Sequence, residues 1–453
     1  MYIYPKNFKM IHQFLKVTLL FGAFCFATTS FAQNKIVLKN VEIFNGKDSK
    51  TKVGSIVVEQ NKIVKIVTGE IAATDLENAQ VIDGKGKFAM PGMIDSHWHS
   101  FLAANSNQAI MLGDESFLFI NAAKESENTL QRGFTTVRDL GGHVMGIKQA
   151  NDYGINKGPR IYPSEAMISQ TGGHGDASFP WSEPRMVDHT PPRFQVLGGS
   201  IIADGEQEVT VAAREQLRKG ASQLKVMAGG GVATIYDPLD ATQYTTKEIK
   251  AAVDAAENWG TYVTVHAYTP KAVRQAVDAG VKCVDHGHLL DEATVKLLGE
   301  KNIWLSMQPF DLDASAYTNP EQAANKRLVG TGTENVYTWA KKHNVKLAFG
   351  TDLVAPPKYP LRQNELVVNL KQWFSNFEIL KMITYDNAQL LKMSGPRNPY
   401  PSDLGTLTEG AYADILLFDQ SPLENIEVIG DPKNNLLLII KDGKLYKDLL
   451  TKK

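Results

Sequence analysis

Cysteine is almost absent from this sequence of 453 residues, which contains only Cys25 and Cys283. One disulfide is therefore the most that the chain can form, and none is possible once an N-terminal signal carrying Cys25 is removed. Stability must then come from a packed core and from any bound metal. Excess charge is also absent, because the formal net charge is −1. Without a block of Lys or Arg, the sequence predicts no nucleic-acid partner.

Long hydrophobic runs are absent too, apart from one short run near the N-terminus. Three lysines precede this apolar stretch at residues 17–27, and a small-residue pattern follows at 30–32. This order of segments is typical of a secretory signal peptide, and the stretch is too short for a stable membrane anchor. We therefore expect translation from Met1 or Met10, cleavage after Ala32, and export to the periplasm or the cell exterior.

Short β-rich segments occupy both ends of the remaining chain and are separated by turn residues. Neither set is large enough to form a sizeable core alone. We therefore predict that residues 33–88 and 397–453 pack together as one small β-sandwich domain. The segments lie at 35–39, 41–44, 55–59, 62–67, 413–418, 435–440 and 444–446.

Between these flanks, short apolar strands alternate with helical patterns such as those at residues 246–258 and 271–279. Eight units of this kind predict an α/β fold, a (β/α)8 TIM-like barrel over residues 89–396, with its chemistry at the carboxyl ends of the strands. The segment 172–205 is too long for a plain connection, and we interpret it as a lid or substrate loop. The predicted strands are 93–95, 135–138, 160–162, 224–227, 262–265, 283–285, 304–307 and 346–349.

Candidate metal ligands lie at or just after the ends of these strands. His97 and His99 follow the first strand, and residues two apart in an extended segment point to the same side, so the pair can bind one ion. A histidine at a single strand end is more often structural than a ligand. The shared position of all the candidates at strand ends nevertheless predicts a metal site. The further candidates are Lys225, His266, His286 and Asp352.

Several motifs together resemble the amidohydrolase superfamily, in the branch of imidazolonepropionase-like proteins, prolidase-like dipeptidases and ochratoxinase. The resemblance covers residues 35–447. Its motifs are Pro-Gly-Met-Ile-Asp-Ser-His-Trp-His at 91–99, Thr-Val-Arg-Asp at 136–139, Gly-Gly-His-Gly-Asp at 172–176, Lys225 with Gly-Gly-Gly at 229–231, Thr-Val-His at 264–266, Asp-His-Gly at 285–287, Gly-Thr-Asp at 350–352 and Glu-Gly-Ala-Tyr-Ala-Asp-Ile-Leu at 409–416.

The resemblance implies a centre of two divalent ions. Lys225 would bridge both ions after reaction with CO2, as N6-carboxylysine, because a carbamate supplies two anionic oxygens. Histidine-rich ligands and a reaction without redox change favour zinc. The more buried ion would be bound by His97, His99 and Asp352, and the second ion by His266 and His286.

The implied reaction is hydrolysis of an amide bond in a small substrate. A hydroxide shared by the two metals would attack the carbonyl, while Asp352 would accept its proton and deliver it to the leaving nitrogen. The prolidase-like loops favour dipeptides such as Xaa-Pro, or N-acyl amino acids. Two alternatives stay open: a cyclic-amide hydrolase or deaminase of the same superfamily, and a non-catalytic binding protein stabilised by metal.

Three residues are candidates for the substrate side of the site. His174 lies between glycines, and it either polarises the carbonyl and holds the substrate or has a structural role. His143 and Tyr236 are candidates for contact with a substrate carboxylate. The resemblance is also compatible with a homo-oligomer, and the oligomeric state stays open.

The remaining histidines and the neighbours of the ligands have simpler interpretations. Either His286 or His288 can serve the second ion, and the position at the strand end favours His286. We interpret Trp98 as a core residue. We expect Arg138 and Asp139 to form a structural salt bridge. We expect His189 and His343 on the surface or in loops.

Overall fold

The computed structural model describes residues 35–450, except residues 188–189, 235, 316 and 355–361. The predicted signal peptide and His189 therefore lie outside the described residues. Among the helices that are described, none is both long enough and apolar enough to cross a membrane.

The β-strands of the described residues belong to three sheets. They are β1 Lys35–Ile43, β2 Lys52–Glu59, β3 Lys62–Val67, β4 Ala79–Pro91, β5 Met93–Trp98, β6 Phe134–Asp139, β7 Arg160–Pro163, β8 Met167–Ser169, β9 Ser200–Ile202, β10 Leu224–Met227, β11 Val263–Ala267, β12 Cys283–His286, β13 Trp304–Met307, β14 Lys346–Phe349, β15 Ile415–Phe418, β16 Leu436–Lys441 and β17 Lys444–Asp448.

The α-helices of the described residues are α1 Ala73–Leu76, α2 Ser100–Ala104, α3 Asn107–Leu112, α4 Glu115–Gln131, α5 Met145–Asp152, α6 Arg193–Val196, α7 Gly205–Lys219, α8 Thr246–Trp259, α9 Pro270–Ala279, α10 Glu292–Glu300, α11 Pro320–Lys342, α12 Gln363–Asn369, α13 Asn376–Lys381, α14 Asn387–Leu391, α15 Glu427–Gly430 and α16 Pro432–Asn435. Most of them connect the parallel strands, and α1, α15 and α16 lie between strands of the sheet formed by the chain ends. Short 3-10 or π segments lie at Leu370–Gln372, Met382–Asp386 and Lys392–Arg397.

Both ends of the described chain join in one seven-stranded sheet, with the order β17-β16-β15-β4-β1-β2-β3. Strand β4 lies at its centre, parallel to β1 and antiparallel to β15. The joining of the two flanks therefore agrees with the sequence. The arrangement of this sheet as a sandwich stays a prediction, and so do the domain boundaries. Strand β4 continues past the predicted boundary at residue 88, to Pro91.

Successive side chains of a strand point to opposite sides of the sheet, so apolar residues of these strands are buried on both of its faces. Ile36 and Leu38 of β1 pack with Ile56 and Val58 of β2 in a separate hydrophobic cluster. Phe88, on the central strand, packs into the main core with the parallel strands. The sheet is thus attached to the larger unit through its second face.

The central part of the chain forms two parallel sheets, with the orders β14-β13-β12-β11-β10-β8-β9 and β5-β6-β7. Each of the eight predicted strands is present within a few residues of its predicted bounds. The parallel α/β architecture is therefore confirmed, and the closed eight-stranded barrel stays a prediction. The predicted helices correspond to α8 and α9. A capping box of Thr245 and Glu248 starts α8, and Gly260, at a φ of 81°, ends it.

The end of β14 lies directly against β5. Asp352 N donates to His97 O at 2.8 Å, and Ser96 Oγ donates to Phe349 O at 2.7 Å. Gly350 permits this approach, because a Cβ at this position would overlap His97. The first and last of the eight predicted strands thus bring their carboxyl ends, and the candidate ligands on them, together.

Candidate metal centre

Six side chains meet at the carboxyl ends of the parallel strands, where the sequence predicts a metal site. Parallel strands collect residues that are far apart in the chain at one edge, so this convergence follows from the fold. All six line one cavity of about 660 Å³. We call this set the metal floor, and it consists of His97, His99, Lys225, His266, His286 and Asp352.

The carboxylate of Asp352 lies among the histidines of the metal floor. Its Oδ1 atom is 3.3 Å from His97 Nε2 and 3.2 Å from His99 Nε2, and its Oδ2 atom is 4.0 Å from His286 Nδ1. One ligand atom from each of His97, His286 and Asp352 lies within 4.8 Å of the other two. Imidazole nitrogens and a carboxylate oxygen at this spacing are a donor set that suits zinc, so the residues fit a divalent ion.

The residues predicted for the second ion lie beside this group. The ring centroid of His286 is 4.3 Å from that of His266 and 5.0 Å from that of His97. Lys225 Nζ donates to Asp285 Oδ2 at 2.8 Å. Lys225 is therefore paired with an acid in this structure, and its carboxylation stays a prediction.

Asp285 is a buried carboxylate next to the metal floor that accepts three side-chain hydrogen bonds. The donors are Lys225 Nζ at 2.8 Å, Arg138 Nη2 at 2.7 Å and Thr264 Oγ1 at 2.6 Å. Burial acts to raise the pKa of Asp285, but the cations Lys225 and Arg138 outweigh it and hold the pKa below its ordinary value. The sequence predicts a pair of Arg138 with Asp139, but Arg138 pairs with Asp285. The reason is that consecutive residues of a strand point to opposite faces of the sheet.

Burial also sets the state of the histidines in the metal floor. It lowers the pKa of His97, His266 and His286 well below the ordinary value, and nearby cationic or imidazole groups add to this effect. For His99, the opposing effect of Asp352 outweighs burial and raises the pKa. Three imidazoles are therefore neutral, which is the form with a lone pair for a metal.

His174, from the Gly-rich loop, reaches the cavity and is held by Asp237. Its Nδ1 atom is 2.8 Å from Asp237 Oδ2, and its ring stacks on His266 with the centroids 4.0 Å apart. Gly231 makes room for the ring, since a Cβ there would overlap the imidazole. When Nδ1 is bonded to a carboxylate, Nε2 is left for a substrate. Sequence reasoning missed Asp237, which carries no local signal and lies 63 residues from His174.

The other two predicted substrate-side residues are not brought to the cavity. His143 is half exposed and its Nδ1 is 2.7 Å from Glu165 Oε2. Tyr236 is 46% exposed. Neither residue is part of the cavity lining that includes the metal floor. Their roles in substrate binding stay predictions.

His288 lies behind the metal floor, away from the cavity. Its Nε2 is 2.9 Å from Gln308 O, and its ring stacks on Phe310. This placement favours His286 as the ligand, since His286 lines the cavity and His288 does not. Gln308, another residue that sequence reasoning missed, bridges two ligands: its Oε1 is 2.8 Å from His286 Nδ1 and its Nε2 is 3.3 Å from His97 Nδ1.

Two of the simpler interpretations agree with the structure. Trp98 is 1% exposed and belongs to the main hydrophobic core. His343 follows the last residue of α11, and its Nε2 is 2.9 Å from Glu292 Oε1.

Loops complete the cavity above the strand ends. Segment 172–205 contributes His174 and Phe194 to its lining, as a substrate loop would, while the role of a lid stays a prediction. A second group of lining residues comes from the chain after β13, from α11 and from the residue before α12. We call this group the outer wall, and it consists of Phe310, Asp311, Asp313, Lys326 and Arg362.

The sequence profile of the Amidohydrolase family matches residues 88–446. The chain belongs to this family. It is 31% identical over 370 residues to ochratoxinase from Aspergillus niger, across 79% of this chain and 75% of that protein. A solved prolidase complexed with N-methylphosphonate-L-proline superposes with a TM-score of 0.83 and 33% identity, covering 92% of this chain and all of the other. A solved Xaa-Pro dipeptidase with bound methionine superposes with a TM-score of 0.78 and 28% identity, covering 91% of this chain and all of the other.

These relatives confirm the superfamily and the prolidase-like and ochratoxinase-like branch predicted from the motifs. This amidohydrolase is thus a metal-dependent hydrolase of carbon–nitrogen bonds, and its substrates are small molecules. The candidate ligands His97, His286 and Asp352 lie within the matched region and within one cavity.

Proposed function

We propose that this amidohydrolase is an exported enzyme with two metal ions that cleaves the amide bond of dipeptides, Xaa-Pro among them, or of N-acyl amino acids. The observation that carries the proposal is the convergence of four histidines, a lysine and an aspartate on one cavity. The similarity to a prolidase and a Xaa-Pro dipeptidase over nearly the whole described chain supports the substrate class.

In this proposal the metal floor holds two divalent ions, of which zinc suits the donors best. The ions would supply an activated water and an electrophile for the carbonyl oxygen. Lys225 would bridge them as a carbamate: its neutral amine adds to CO2, an N–C bond forms, and one proton leaves. The product is an anion with two oxygens. The N–H that remains still has Asp285 as its acceptor, which supports the assignment.

Asp352 would transfer the proton, and His174 would bind the substrate. Asp352, among the imidazoles of the metal floor, accepts the proton of the attacking water and delivers it to the leaving nitrogen. His174, oriented by Asp237, presents Nε2 to the substrate from the cavity side. Both side chains line the cavity where the amide must lie.

Protein produced from residue 33 onward and loaded with zinc provides the test. We expect two ions per chain and turnover on panels of Xaa-Pro dipeptides and N-acyl amino acids. Lys225→Ala should lower the metal content below two ions and the turnover at least about 100-fold, because it removes a ligand of both ions. Absence of turnover on both panels would overturn the substrate class. A single ion that Lys225→Ala leaves in place would favour a deaminase instead.

Export is proposed from the N-terminal sequence, which the described residues do not include. We expect the mature chain to begin at Gln33, after cleavage behind Ala32. Mass spectrometry of protein from the cell exterior or the periplasm checks this start, and light scattering checks for a homo-oligomer. A chain that retains residues 1–32 in the cytoplasm would contradict export without affecting the chemistry.

A further inference from the structure

Each histidine of the metal floor has two ring nitrogens, and the partner of one nitrogen decides whether the other can bind an ion. A neutral imidazole carries one proton, so a ring whose proton is accepted by an oxygen presents a lone pair on its second nitrogen. His99 Nδ1 is 3.1 Å from Gly141 O, and His266 Nε2 is 3.1 Å from Gly230 O. A carbonyl only accepts, so each of these two rings presents its other nitrogen to a metal.

The other two histidines of the metal floor share one partner, the side-chain amide of Gln308. Gln308 is the first residue after β13 and is fully buried. Its Oε1 atom is 2.8 Å from His286 Nδ1, and its Nε2 atom is 3.3 Å from His97 Nδ1. An amide oxygen accepts and an amide nitrogen donates, so the two rings meet opposite groups. One amide can therefore accept the Nδ1 proton of only one of these rings.

His286 and His97 consequently carry their protons on different nitrogens. Gln308 Oε1 accepts the Nδ1 proton of His286, which leaves the lone pair on Nε2 of that ring. Gln308 Nε2 donates to His97 Nδ1, so the proton of His97 lies on Nε2, which is 3.3 Å from Asp352 Oδ1. This Nε2 atom is the one that faces the other ligands. His97 must therefore shift its proton to Nδ1 before Nε2 can bind an ion, and the ring stays neutral in both forms.

The shifted proton of His97 meets no acceptor as good as that of His286. The carboxylate on this side of the ring is that of Asp285, whose Oδ1 atom is 3.6 Å from His97 Nδ1, beyond the range of a hydrogen bond. The same oxygen already accepts from Arg138 Nη2 at 2.7 Å. For His286 the acceptor is in place at 2.8 Å. The difference between the two rings thus comes from the amide of Gln308.

The position of this amide is set by the fold. Strand β13, which ends just before Gln308, pairs with β12 on one side and with β14 on the other. The carbonyl of Gln308 accepts from Phe310 N at 2.8 Å and from His288 Nε2 at 2.9 Å. The main chain is therefore fixed from two directions, and the side chain extends from it to ligands on β12 and β5.

We propose that Gln308 is a positioning residue that makes the two ion sites unequal. It prepares His286 for the second ion and opposes His97 in binding the more buried ion, so the more buried ion is held more weakly. This inference rests on the proposed function, because it concerns the two ions of the metal floor. At low zinc concentrations the chain would hold one ion, at His266 and His286, and it would gain the other ion at higher concentrations.

Zinc binding tests this role without turnover. Zinc-loaded enzyme is equilibrated against chelator buffers of stepped free zinc, and the ions per chain are measured for wild type, Gln308→Glu and Gln308→Met. We expect wild type to bind one ion at least about 10-fold more tightly than the other. Gln308→Glu should reduce this gap, because a carboxylate has two oxygens and accepts the Nδ1 protons of both rings. Gln308→Met, which keeps the length of the side chain without its polar atoms, should weaken the tighter ion about 10–100-fold.

Gln216→Met is the matched control. Gln216 lies on α7 and is also fully buried. Its Oε1 accepts from Ala166 N at 3.1 Å, and its Nε2 donates to Ala212 O at 3.1 Å. This variant also loses two buried hydrogen bonds, and it should bind both ions as wild type does. The same change in Gln216→Met as in Gln308→Met would overturn the role of Gln308, because loss of any buried amide would then explain the result.

A crystal structure with one equivalent of zinc per chain shows which site fills first. We expect the ion at His266 and His286 in wild type. An ion at His97 and His99, or an equal gap in wild type and Gln308→Glu, would overturn the inference while leaving two ions in place. A wild-type chain with a single ion at every zinc concentration would overturn both the inference and the two-ion centre. Turnover does not enter this test, so a wrong substrate class would not affect it.

Discussion

The metal floor and the outer wall of the cavity hold buried lysines in different ways. Beside the metal floor, Lys225 donates to the carboxylate of Asp285, which also receives Arg138 and Thr264. In the outer wall, Lys326 has a backbone carbonyl as its acceptor. The first lysine is balanced within the protein, and the second has donors left for a ligand. The buried lysine at the strand ends is thus paired with a carboxylate, and the buried lysine on α11 is held by a backbone carbonyl.

The largest expected effect comes from breaking the centre of the metal floor. Asp352→Asn removes a charged ligand and the proposed proton carrier while keeping the size of the side chain. We expect kcat to fall about 1000-fold or more at saturating zinc and substrate. Asp403→Asn, at a half-exposed aspartate paired with Lys392, is the matched control and should leave kcat unchanged. A loss below 10-fold would remove Asp352 from the proton transfer.

Breaking the charge balance beside the metal floor should cost stability. Asp285→Asn leaves Arg138 and Lys225 buried without their carboxylate, and we expect the free energy of unfolding to fall by about 3–5 kcal/mol. The exposed pair of Lys296 and Glu300 provides the comparison, because Glu300→Gln should cost about 1 kcal/mol or less. Chemical denaturation measures both. Similar losses in the two variants would contradict the buried role of Asp285.

A smaller effect is expected where the protein only orients a side chain of the cavity. Asp237→Asn keeps the shape of the side chain but weakens its hold on His174, so kcat should fall about 10-fold. The effect acts through His174, and the double variant with His174→Ala should therefore be no slower than His174→Ala alone. Additive losses in this double-mutant cycle would show that Asp237 acts elsewhere.

The smallest effect is expected at the histidine behind the metal floor. His288→Gln should keep both ions and change kcat less than about 3-fold, since the His288 ring faces Phe310 and not the cavity. His286→Gln should lose an ion. Metal analysis of the two variants decides which residue is the ligand, and loss of an ion from His288→Gln would reverse the assignment.

The strands were largely predictable because their signal is local. Leu224–Met227 and Trp304–Met307 are apolar runs between helical patterns, and the predicted bounds match the observed ones. Strand Ala79–Pro91 was missed, since its glycines and charges hide the pattern, and it owes its place to pairing with strands on both sides. Whether a segment forms a strand thus depends on the neighbouring strands it pairs with as well as on its own sequence.

The site was predictable to the extent that strand ends position it. His97, His266 and Asp352 meet where the alternation of strands and helices places them. The partners away from the strand ends were not predictable: Lys326, on α11, and Asp237, on a loop, have no motif, and they meet their partners through the packing of distant segments. His143 is not part of the cavity lining, and its role in substrate binding stays a prediction.

Two residues of the metal floor have left-handed backbones, His286 at a φ of 80° and Asp352 at 50°. A side chain in this region costs of order 1 kcal/mol, and glycine would avoid that cost. Glycine would relieve the backbone strain at both positions, but glycine has no side chain to bind a metal. Glycine at either position should therefore relieve backbone strain in the metal-free protein while removing a side chain that would hold the ion.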